Sequence, residues 1–299
     1  MEFLNTKLTA IKLVFMCAVF MFVSFSAFAV DYPLGSEGIK AASFPGPGFY
    51  YVMYNQYYTS DTNRDKDGDK QDIGFDVDSY AMAHRFVYVT NKKILGADYG
   101  MNVIVPVVNA NLKIDAARVD ESSFGVGDIT VEPIVMAWHK PQQDVTISLS
   151  FLLPTGEYNE SDALSIGGDH YNITATAGTT LFTPDRLWSL SVLARYEKHS
   201  ENRSQDLTYG DDFFFEWGAG RSIGLFDVGL SGYAHWQVTE DSGNDKTSDD
   251  LDRVYAAGPE IQVAIPQIKG QLRFKYLKEF DAEDTKEGDA VWVTLVKAF

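Results

Sequence analysis

The chain ends with AVWVTLVKAF, residues 290–299, and this stretch has the pattern of a β-strand. It is rich in β-branched and aromatic residues, which favour extended chain. Because side chains alternate along a strand, Val291, Val293, Leu295 and Phe299 share one face, which is apolar apart from one lysine. An apolar strand face at the end of the chain predicts contact with lipid, in a barrel whose last strand pairs with its first.

The same alternation recurs along the chain. In DVTISLSFLL, residues 144–153, Val145, Ile147 and Leu149 lie on one side and hydroxyl side chains lie on the other. After residue 29 there is neither a helical periodicity nor an apolar run of the roughly 18 residues that a membrane-spanning helix needs. About twelve alternating segments, each of the length of a tilted membrane-spanning strand, lie near 48–59, 75–90, 95–110, 127–139, 144–154, 171–183, 187–198, 212–222, 226–238, 253–265, 270–280 and 289–299.

The connections between these segments alternate in kind. One set is short, such as NKKIL at 91–95 and IGLF at 223–226, and the other is long and acidic, such as SDTNRDKDGDKQD at 60–72. Short turns at one end and long loops at the other are typical of bacterial outer-membrane barrels. The alternative is a soluble β-sandwich or jelly roll, which gives no reason for this segregation. We therefore expect an all-β fold: a single antiparallel transmembrane β-barrel of about 12 strands, with short periplasmic turns and long acidic extracellular loops.

The first 29 residues have the pattern of a secretory signal. Lys7 and Lys12 precede an apolar core, and the small residues Ala27 and Ala29 mark a cleavage site. The alternative is an N-terminal anchor helix. The lone cysteine, Cys17, would be lost with the signal, so the exported chain would hold no disulfide.

The sequence thus predicts three parts: a signal peptide at 1–29, an N-terminal periplasmic segment at 30–47, and the barrel at 48–299. The expected location is the outer membrane of a Gram-negative bacterium. The net charge of -17 argues against nucleic acid as a partner, because nucleic-acid binding requires excess Lys and Arg. A C-terminal strand that ends in Phe299 resembles the sorting signal that the outer-membrane assembly machinery reads. Outer-membrane lipid and that machinery are therefore the expected partners, together with a small solute.

A resemblance to a known family rests on residues 125–158. Gly127 and Asp128 open a strand that contains Pro133, and the strand ends with Trp138 and a histidine; the motif Pro-Thr-Gly at 154–156 follows the next strand. In these residues the chain resembles the family named after the meta-pathway of phenol degradation, outer-membrane β-barrel transporters. The resemblance extends from about residue 44 to the end of the chain. It implies the passage of hydrophobic or aromatic small molecules and supplies no binding site residue by residue.

The polar faces of the strands are expected to line the interior. Charged groups of both signs would form either a salt-bridge network that fills the barrel or a polar path for solute. Aromatic and apolar side chains share these faces (Tyr80, Met82, Met136, Trp138, Phe214 and Tyr233), and a mixed lumen suits an amphipathic or aromatic solute. The polar candidates are Asp78, His84, Asp98, Glu132, Arg195, Glu216, His235, Glu260, Arg273 and Lys275.

The sharpest local motif is the Asp-rich loop at 61–72. Asn63, Asp65, Asp67 and Gly68 match the first half of a calcium-binding loop, but Gly74 stands where such a loop has its bidentate Glu. A solvated surface loop is the main interpretation, and weak divalent-cation binding is the alternative. We expect no catalytic residues, since no G-x-S-x-G is present and no Ser pairs with a His at a known spacing. Neither a cofactor nor a metal is expected.

The function that these patterns favour is a channel or transporter for diffusive uptake of small hydrophobic or aromatic compounds. The alternative is a non-transporting outer-membrane receptor, sensor or structural barrel that uses its acidic surface loops. The two differ in a planar lipid bilayer, where only a channel gives conductance or solute-dependent flux.

Overall fold

The computed structural model describes residues 33–246 and 248–299, so the expected signal peptide at 1–29 lies outside the described residues. No helix in the described ranges is both long and apolar enough to cross a membrane. A short 3-10 helix spans Pro266–Ile268. The strands are β1 (Gly48–Ser60), β2 (Phe75–Ile94), β3 (Ala97–Ile114), β4 (Val119–Val126), β5 (Ile129–Lys140), β6 (Gln143–Leu153), β7 (Asn172–Phe182), β8 (Trp188–His199), β9 (Asp212–Ile223), β10 (Phe226–Gln237), β11 (Arg253–Ile265), β12 (Gly270–Glu283) and β13 (Asp289–Ala298).

The strands close into a barrel in which each strand is antiparallel to its neighbours. The last strand, β13, pairs with β1 in a register that sets Tyr50 opposite Ala298, and β1 also pairs with β2. The upper half of β3 pairs with β4 and its lower half pairs with β5, so β4 and β5 together form one strand of the wall. The result is a closed barrel of 12 strands, as the sequence predicts. Closure leaves no unpaired edge in lipid, where backbone polar groups have no water to bind.

The wall strand made of β4 and β5 departs from the sequence pattern in two places. β4 lies between the predicted segments 95–110 and 127–139, where the sequence pattern predicts a connection and not a strand. Within β5, the pairing with β6 shifts register between Val131 and Ile134, around Pro133. Proline cannot donate to the ladder, so a bulge at this position is expected. The bulge moves Met136 and Trp138 to the outer face, contrary to the simple alternation.

The two faces of the wall differ in the way that a membrane barrel requires. Large apolar side chains are exposed on the outer face, including Phe86, Leu190, Leu230 and Phe274. Toward the long-loop end, outward aromatic rings form a band in which Trp236 contacts Phe213, Phe215 and Tyr255. Such a band is the aromatic girdle of an outer-membrane barrel. Trp292 on β13 is not part of this band, because it points inward and is 3% exposed.

The segment at 33–47 lies inside the barrel rather than outside it in the periplasm. It leads into β1 at the short-turn end and runs up the lumen, where Ile39 is buried. At Gly218 on β9, a Cβ atom would collide with the backbone of Gly38, so the absence of a side chain there makes room for the segment. The lumen is therefore crossed by the chain's own N-terminal segment, which we call the inner segment.

Candidate functional site: the inner segment and the chambers beside it

Glu37 is the centre of the contacts that hold the inner segment. Its carboxylate accepts a hydrogen bond from the Tyr54 hydroxyl at 3.0 Å and lies 3.3 Å from Arg85 Nη1 and 3.6 Å from Arg273 Nη1. Its carbonyl oxygen accepts a hydrogen bond from Lys275 Nζ at 2.7 Å. Three cations from β2 and β12 thus converge on one residue of the segment, which is the arrangement needed to hold a charge away from bulk water.

The backbone of the inner segment is bound by acidic and amide side chains of β9 and β11. Glu216 accepts a hydrogen bond from the Glu37 N–H at 2.8 Å and is also paired with Arg195. Glu260 accepts a hydrogen bond from the Ile39 N–H at 3.1 Å, and Gln262 donates to the Ile39 carbonyl at 3.0 Å. Buried backbone polar groups need such partners, and the lumen supplies them here.

Nearer the short-turn end, two further contacts continue this pattern. Lys40 Nζ lies 2.7 Å from Asp227 on β10. Thr146 on β6 donates a hydrogen bond to the Ala42 carbonyl at 2.8 Å. Strands from around the barrel therefore hold residues 37–42 of the inner segment.

Above the inner segment, toward the long loops, lies a chamber of about 610 Å³, which we call the upper chamber. Its volume falls within the range of about 300–1,000 Å³ that is usual for small-molecule pockets. Its lining combines aromatic and apolar side chains with many polar groups, six of which are carboxyl groups. Apolar and aromatic members are Leu34, Tyr54, Tyr58, Ala83, Ile104, Val108, Leu152, Val254, Tyr233 and Trp292, and polar members include Gln56, Ser79, Asp128, His170, His235, Asp252, Glu279 and Lys286.

The long loop at 154–170 contributes to this lining and is held by Asp128. The Asp128 carboxylate accepts hydrogen bonds from the N–H groups of Thr155 at 2.8 Å, Gly156 at 2.7 Å and Gly168 at 2.7 Å. The Thr155 hydroxyl accepts a hydrogen bond from the Ile129 N–H at 3.0 Å, which fixes the loop to the start of β5. The Gly-Asp and Pro-Thr-Gly motifs of the sequence therefore form one unit, which folds this loop over the upper chamber.

A polar cluster occupies one side of the upper chamber. Glu279 accepts hydrogen bonds from Tyr58 at 2.8 Å and from Tyr233. In the loops nearby, burial raises the pKa of the Asp252 carboxyl to about 7, and burial lowers the pKa of the Lys286 ammonium. The chamber thus offers hydroxyl, carboxyl and ammonium groups beside an aromatic wall.

Below the inner segment lies a second cavity of about 310 Å³, the lower chamber. It is lined by the segment itself, through residues such as Lys40 and Phe44, and by Arg85, Arg195 and Arg273. Tyr54 lines both chambers. The inner segment therefore stands between an aromatic chamber on one side and a cationic one on the other.

Six of the predicted lumen residues meet around the inner segment. Arg273 and Lys275 contact Glu37 directly, and Glu132 does so through Arg85, from which it lies 2.9 Å away. Glu216 and Glu260 bind backbone N–H groups of the segment, and Arg195 pairs with Glu216.

Two more of the predicted residues lie elsewhere in the lumen. His235 lines the upper chamber. Asp98 lies at the short-turn end, where it pairs with Lys93 at 2.8 Å.

For Asp78 and His84 the alternation predicts the wrong face. On β2 the odd-numbered residues Val77 and Val87 are buried and the even-numbered Phe86 is exposed, so the even-numbered side chains point outward. His84 accordingly binds the outward Tyr51 hydroxyl, 2.6 Å away, and Asp78 accepts a hydrogen bond from Asn111 on the outer face of β3. The polarity of the side chains does not identify the inner face of β2, because small apolar side chains can face a chamber as readily as they can face lipid.

Because the wrong face of β2 was predicted to line the lumen, the sequence did not identify Arg85 as a lumen residue. Arg85 faces inward and pairs with both Glu37 and Glu132. Tyr54 and Glu279 fit the alternation of β1 and β12, but nothing in the sequence marks them as partners of the inner segment or of the chamber. Their roles depend on contacts between strands far apart in the chain.

In the Asp-rich loop at 61–72, the carboxylate of Asp65 binds the backbone of the loop itself. Asp65 Oδ1 accepts hydrogen bonds from the N–H groups of Asp67 at 3.0 Å and Asp69 at 2.9 Å. Arg64 lies 2.7 Å from Glu287 across the loops. Divalent-cation binding by this loop stays a prediction.

Comparison with protein families gives one match over most of the chain. Residues 60–295 match the family model described as "Putative MetA-pathway of phenol degradation". A comparison with curated proteins gave no match.

Two solved structures share the architecture of this chain. The COG4313 outer membrane channel from Pseudomonas putida F1 superposes with a TM-score of 0.77 at 16% identity, over 90% of this chain and 100% of that chain. The translocator domain of the autotransporter NalP from Neisseria meningitidis gives a TM-score of 0.52 at 11% identity, over 87% of this chain and 93% of that chain. At these identities the likeness concerns the fold.

Proposed function

Since the chain belongs to the phenol-degradation MetA-pathway family, whose model spans residues 60–295, we propose that it is an outer-membrane channel for small hydrophobic or aromatic compounds. The fold supports this proposal because it matches that of an outer membrane channel over 90% of the chain. The family description points to aromatic solutes. The channel would act by diffusion along the lumen.

The observation that carries the proposal is the upper chamber. About 610 Å³ of space is walled by rings such as Tyr58, Tyr233 and Trp292, with the hydroxyl and carboxyl groups of the Glu279 cluster on one side. Aromatic walls bind an aromatic ring by offset or edge contacts, and a few polar groups orient it. A neutral phenol fits this description better than a simple ion, because six carboxyl groups also line the chamber.

Passage from the upper to the lower chamber would require the inner segment to move. Its contacts are hydrogen bonds and ion pairs to lumen side chains rather than a dense apolar core, and such contacts can be exchanged for water. A solute would therefore occupy the upper chamber first and reach the cationic lower chamber when the segment yields. The lower chamber is lined by five basic side chains and two carboxylates, Glu37 and Glu132, and this excess of positive charge would favour a solute that carries a negative charge.

The experiment is a flux assay in liposomes that contain the purified barrel, with alkylphenols, aromatic acids and fatty acids as solutes. Uptake of the aromatic solutes should exceed uptake of a sugar of similar mass. Replacing Trp292 with alanine should reduce aromatic uptake several-fold and leave ionic conductance in a planar bilayer little changed. L230A, which shortens a side chain on the lipid face, is the matched control. Equal uptake of sugar and phenol would contradict the proposal.

A non-transporting receptor or sensor is the second candidate, and the inner segment itself favours it. A segment whose residues 37–42 are held by charged and polar contacts could close the lumen permanently. In that case a planar bilayer would show neither conductance nor solute-dependent flux, while solute binding to the upper chamber would persist.

We also propose that the chain reaches the outer membrane through its C-terminal strand. The Phe299 ring is exposed on the outer face and lies 5.5 Å from the ring of Phe49 at the seam of the barrel. The position suits a signal that the assembly machinery reads before the barrel closes.

A further inference from the structure

The Glu37 carboxylate lies between two arginines at distances longer than those of a close ion pair. It is 3.3 Å from Arg85 Nη1 and 3.6 Å from Arg273 Nη1, and it accepts a hydrogen bond from the Tyr54 hydroxyl at 3.0 Å. Charge-assisted N–H···O bonds in forked pairs of arginine and carboxylate measure about 2.7–2.9 Å. The arginines therefore surround a carboxylate position that Glu37 fills loosely.

The backbone of Glu37 explains why its side chain does not come closer. The Glu37 N–H donates to Glu216 at 2.8 Å, and its carbonyl accepts from Lys275 at 2.7 Å. A side chain on a fixed backbone reaches its partners only through its own rotamers. A small free carboxylate has no such tether, so it can turn to accept two parallel N–H bonds from one arginine.

The two arginines differ in the partners that they would keep if Glu37 moved away. Arg85 would retain Glu132, which is 2.9 Å away. For Arg273, Glu37 is the only carboxylate within 4.0 Å in the described ranges, and 27% of the arginine side chain is exposed. A partly buried cation without a counter-ion is costly, and a second carboxylate would restore the balance of charge.

The lower chamber provides the space for such an anion beside Arg273. Its volume of about 310 Å³ is near the small end of the range for ligand pockets, so it suits a molecule with a single ring. The chamber extends to the short-turn end, where Lys269, Gly270 and Ala298 line it. Apolar side chains form part of the wall and would contact an apolar body: Phe44, Val52, Val87, Val135, Leu193 and Val296.

We propose that a small carboxylate anion with an apolar body, of the benzoate type, binds in the lower chamber at Arg273 and Arg85 in place of Glu37. Glu37 is then a built-in competitor, so binding of the anion and release of the inner segment are coupled. The anion would arrive from the short-turn end, because the six carboxyl groups of the upper chamber oppose its approach from the long loops. This site goes beyond the proposed function, since binding does not require that a solute crosses the barrel.

The test is a calorimetric titration of the purified barrel in detergent with sodium benzoate at constant ionic strength. One benzoate per chain should bind saturably to the wild type. E37Q should bind benzoate about tenfold more tightly, because the competing carboxylate is gone and apparent affinity follows the fraction of open sites. R273Q should bind it about tenfold more weakly or worse, because the anion loses a charged partner.

Two variants serve as matched controls. E240Q removes the same charge as E37Q from an exposed loop. K278Q removes a cation from β12, as R273Q does, but from an exposed side chain that pairs with Asp289 at 3.5 Å. Both should bind benzoate as the wild type does, and heat-modifiable migration on a gel would show that each variant is folded.

Three outcomes would each overturn the proposal. The first is that neither the folded wild type nor folded E37Q binds benzoate saturably. The second is that E37Q binds it no more tightly than E240Q, which would mean that Glu37 does not compete for the site. The third is that R273Q binds it as tightly as K278Q. Failure of phenol uptake in liposomes would refute the proposed function and leave this site standing.

Discussion

Replacing Glu37 with glutamine should release the inner segment from the lumen. The Glu37 carboxylate lies 3.3 Å from Arg85 and 3.6 Å from Arg273, and all three side chains are less than a third exposed. At an effective dielectric constant of about 20, each ion pair has a gross Coulomb energy of about 5 kcal/mol. Most of this energy is offset by the desolvation of the charges, and Arg85 keeps Glu132 as a partner in the variant.

The net loss is therefore on the order of 2 kcal/mol, close to that of a hydrogen bond to a charged group. Since about 1.4 kcal/mol corresponds to a factor of ten, the released population should rise about 30-fold. The prediction depends on Glu37 being the residue on which the cations of β2 and β12 converge.

The assay uses Ser36, which is buried beside Glu37, as a reporter of release. The lone native cysteine, Cys17, lies in the expected signal peptide, so S36C would give the exported chain a single thiol. A membrane-impermeant maleimide should label this thiol about 30-fold faster in the E37Q background than in the parent S36C. Labelling follows the released population when release and return are fast. E240Q, which removes the same charge from an exposed loop, is the control. If E37Q labels no faster than E240Q, the cations do not hold the segment, and the reasoning is refuted.

Three further outcomes are expected. G218V should displace the inner segment, because a side chain at this position collides with the Gly38 backbone. Conductance in a planar bilayer should therefore rise. An unchanged conductance would contradict the packing of the inner segment against β9. D252N should change the pH dependence of stability. The Asp252 carboxyl has its ordinary pKa of 3.8 in the unfolded chain and a pKa of about 7 in the folded barrel. The folded state therefore favours the protonated carboxyl, and the contribution of this group to wild-type stability is lost as the pH rises from about 4 to about 7. The melting temperature of D252N should therefore rise relative to wild type over that range, and parallel melting curves would count against it. F299A should lower the amount of folded barrel in outer membranes several-fold, as measured by heat-modifiable migration on a gel, while refolding of the purified chain in detergent stays normal. If F299A also fails to refold in detergent, Phe299 has a structural role instead.

The polar side chains of the lumen show where prediction from the sequence fails. Alternation identifies the inward face of β8 to β12, and with it Arg195, Glu216 and Lys275. It fails on β2, where small apolar residues face the lumen and His84 finds an outward partner, Tyr51. Alternation with a period of two residues divides a strand into two faces but does not show which face is inside. The outer face can be recognised only where large apolar side chains occupy the whole of it.

The sequence by itself determined the architecture, because the membrane imposes rules that every strand obeys. Apolar alternation, strand length and unequal connections each follow from the need to satisfy the backbone within lipid, and they recur from β1 to β13. These are local properties, so they can be read along the chain.

Only the tertiary structure decided the contents of the lumen. The inner segment at 33–47 has no periodicity that marks it as an occupant, and its position depends on Arg85, Glu216, Glu260 and Arg273, which come from four strands. Contacts of this kind depend on how a closed sheet brings distant strands around a common axis, and that geometry exists only after the barrel has closed.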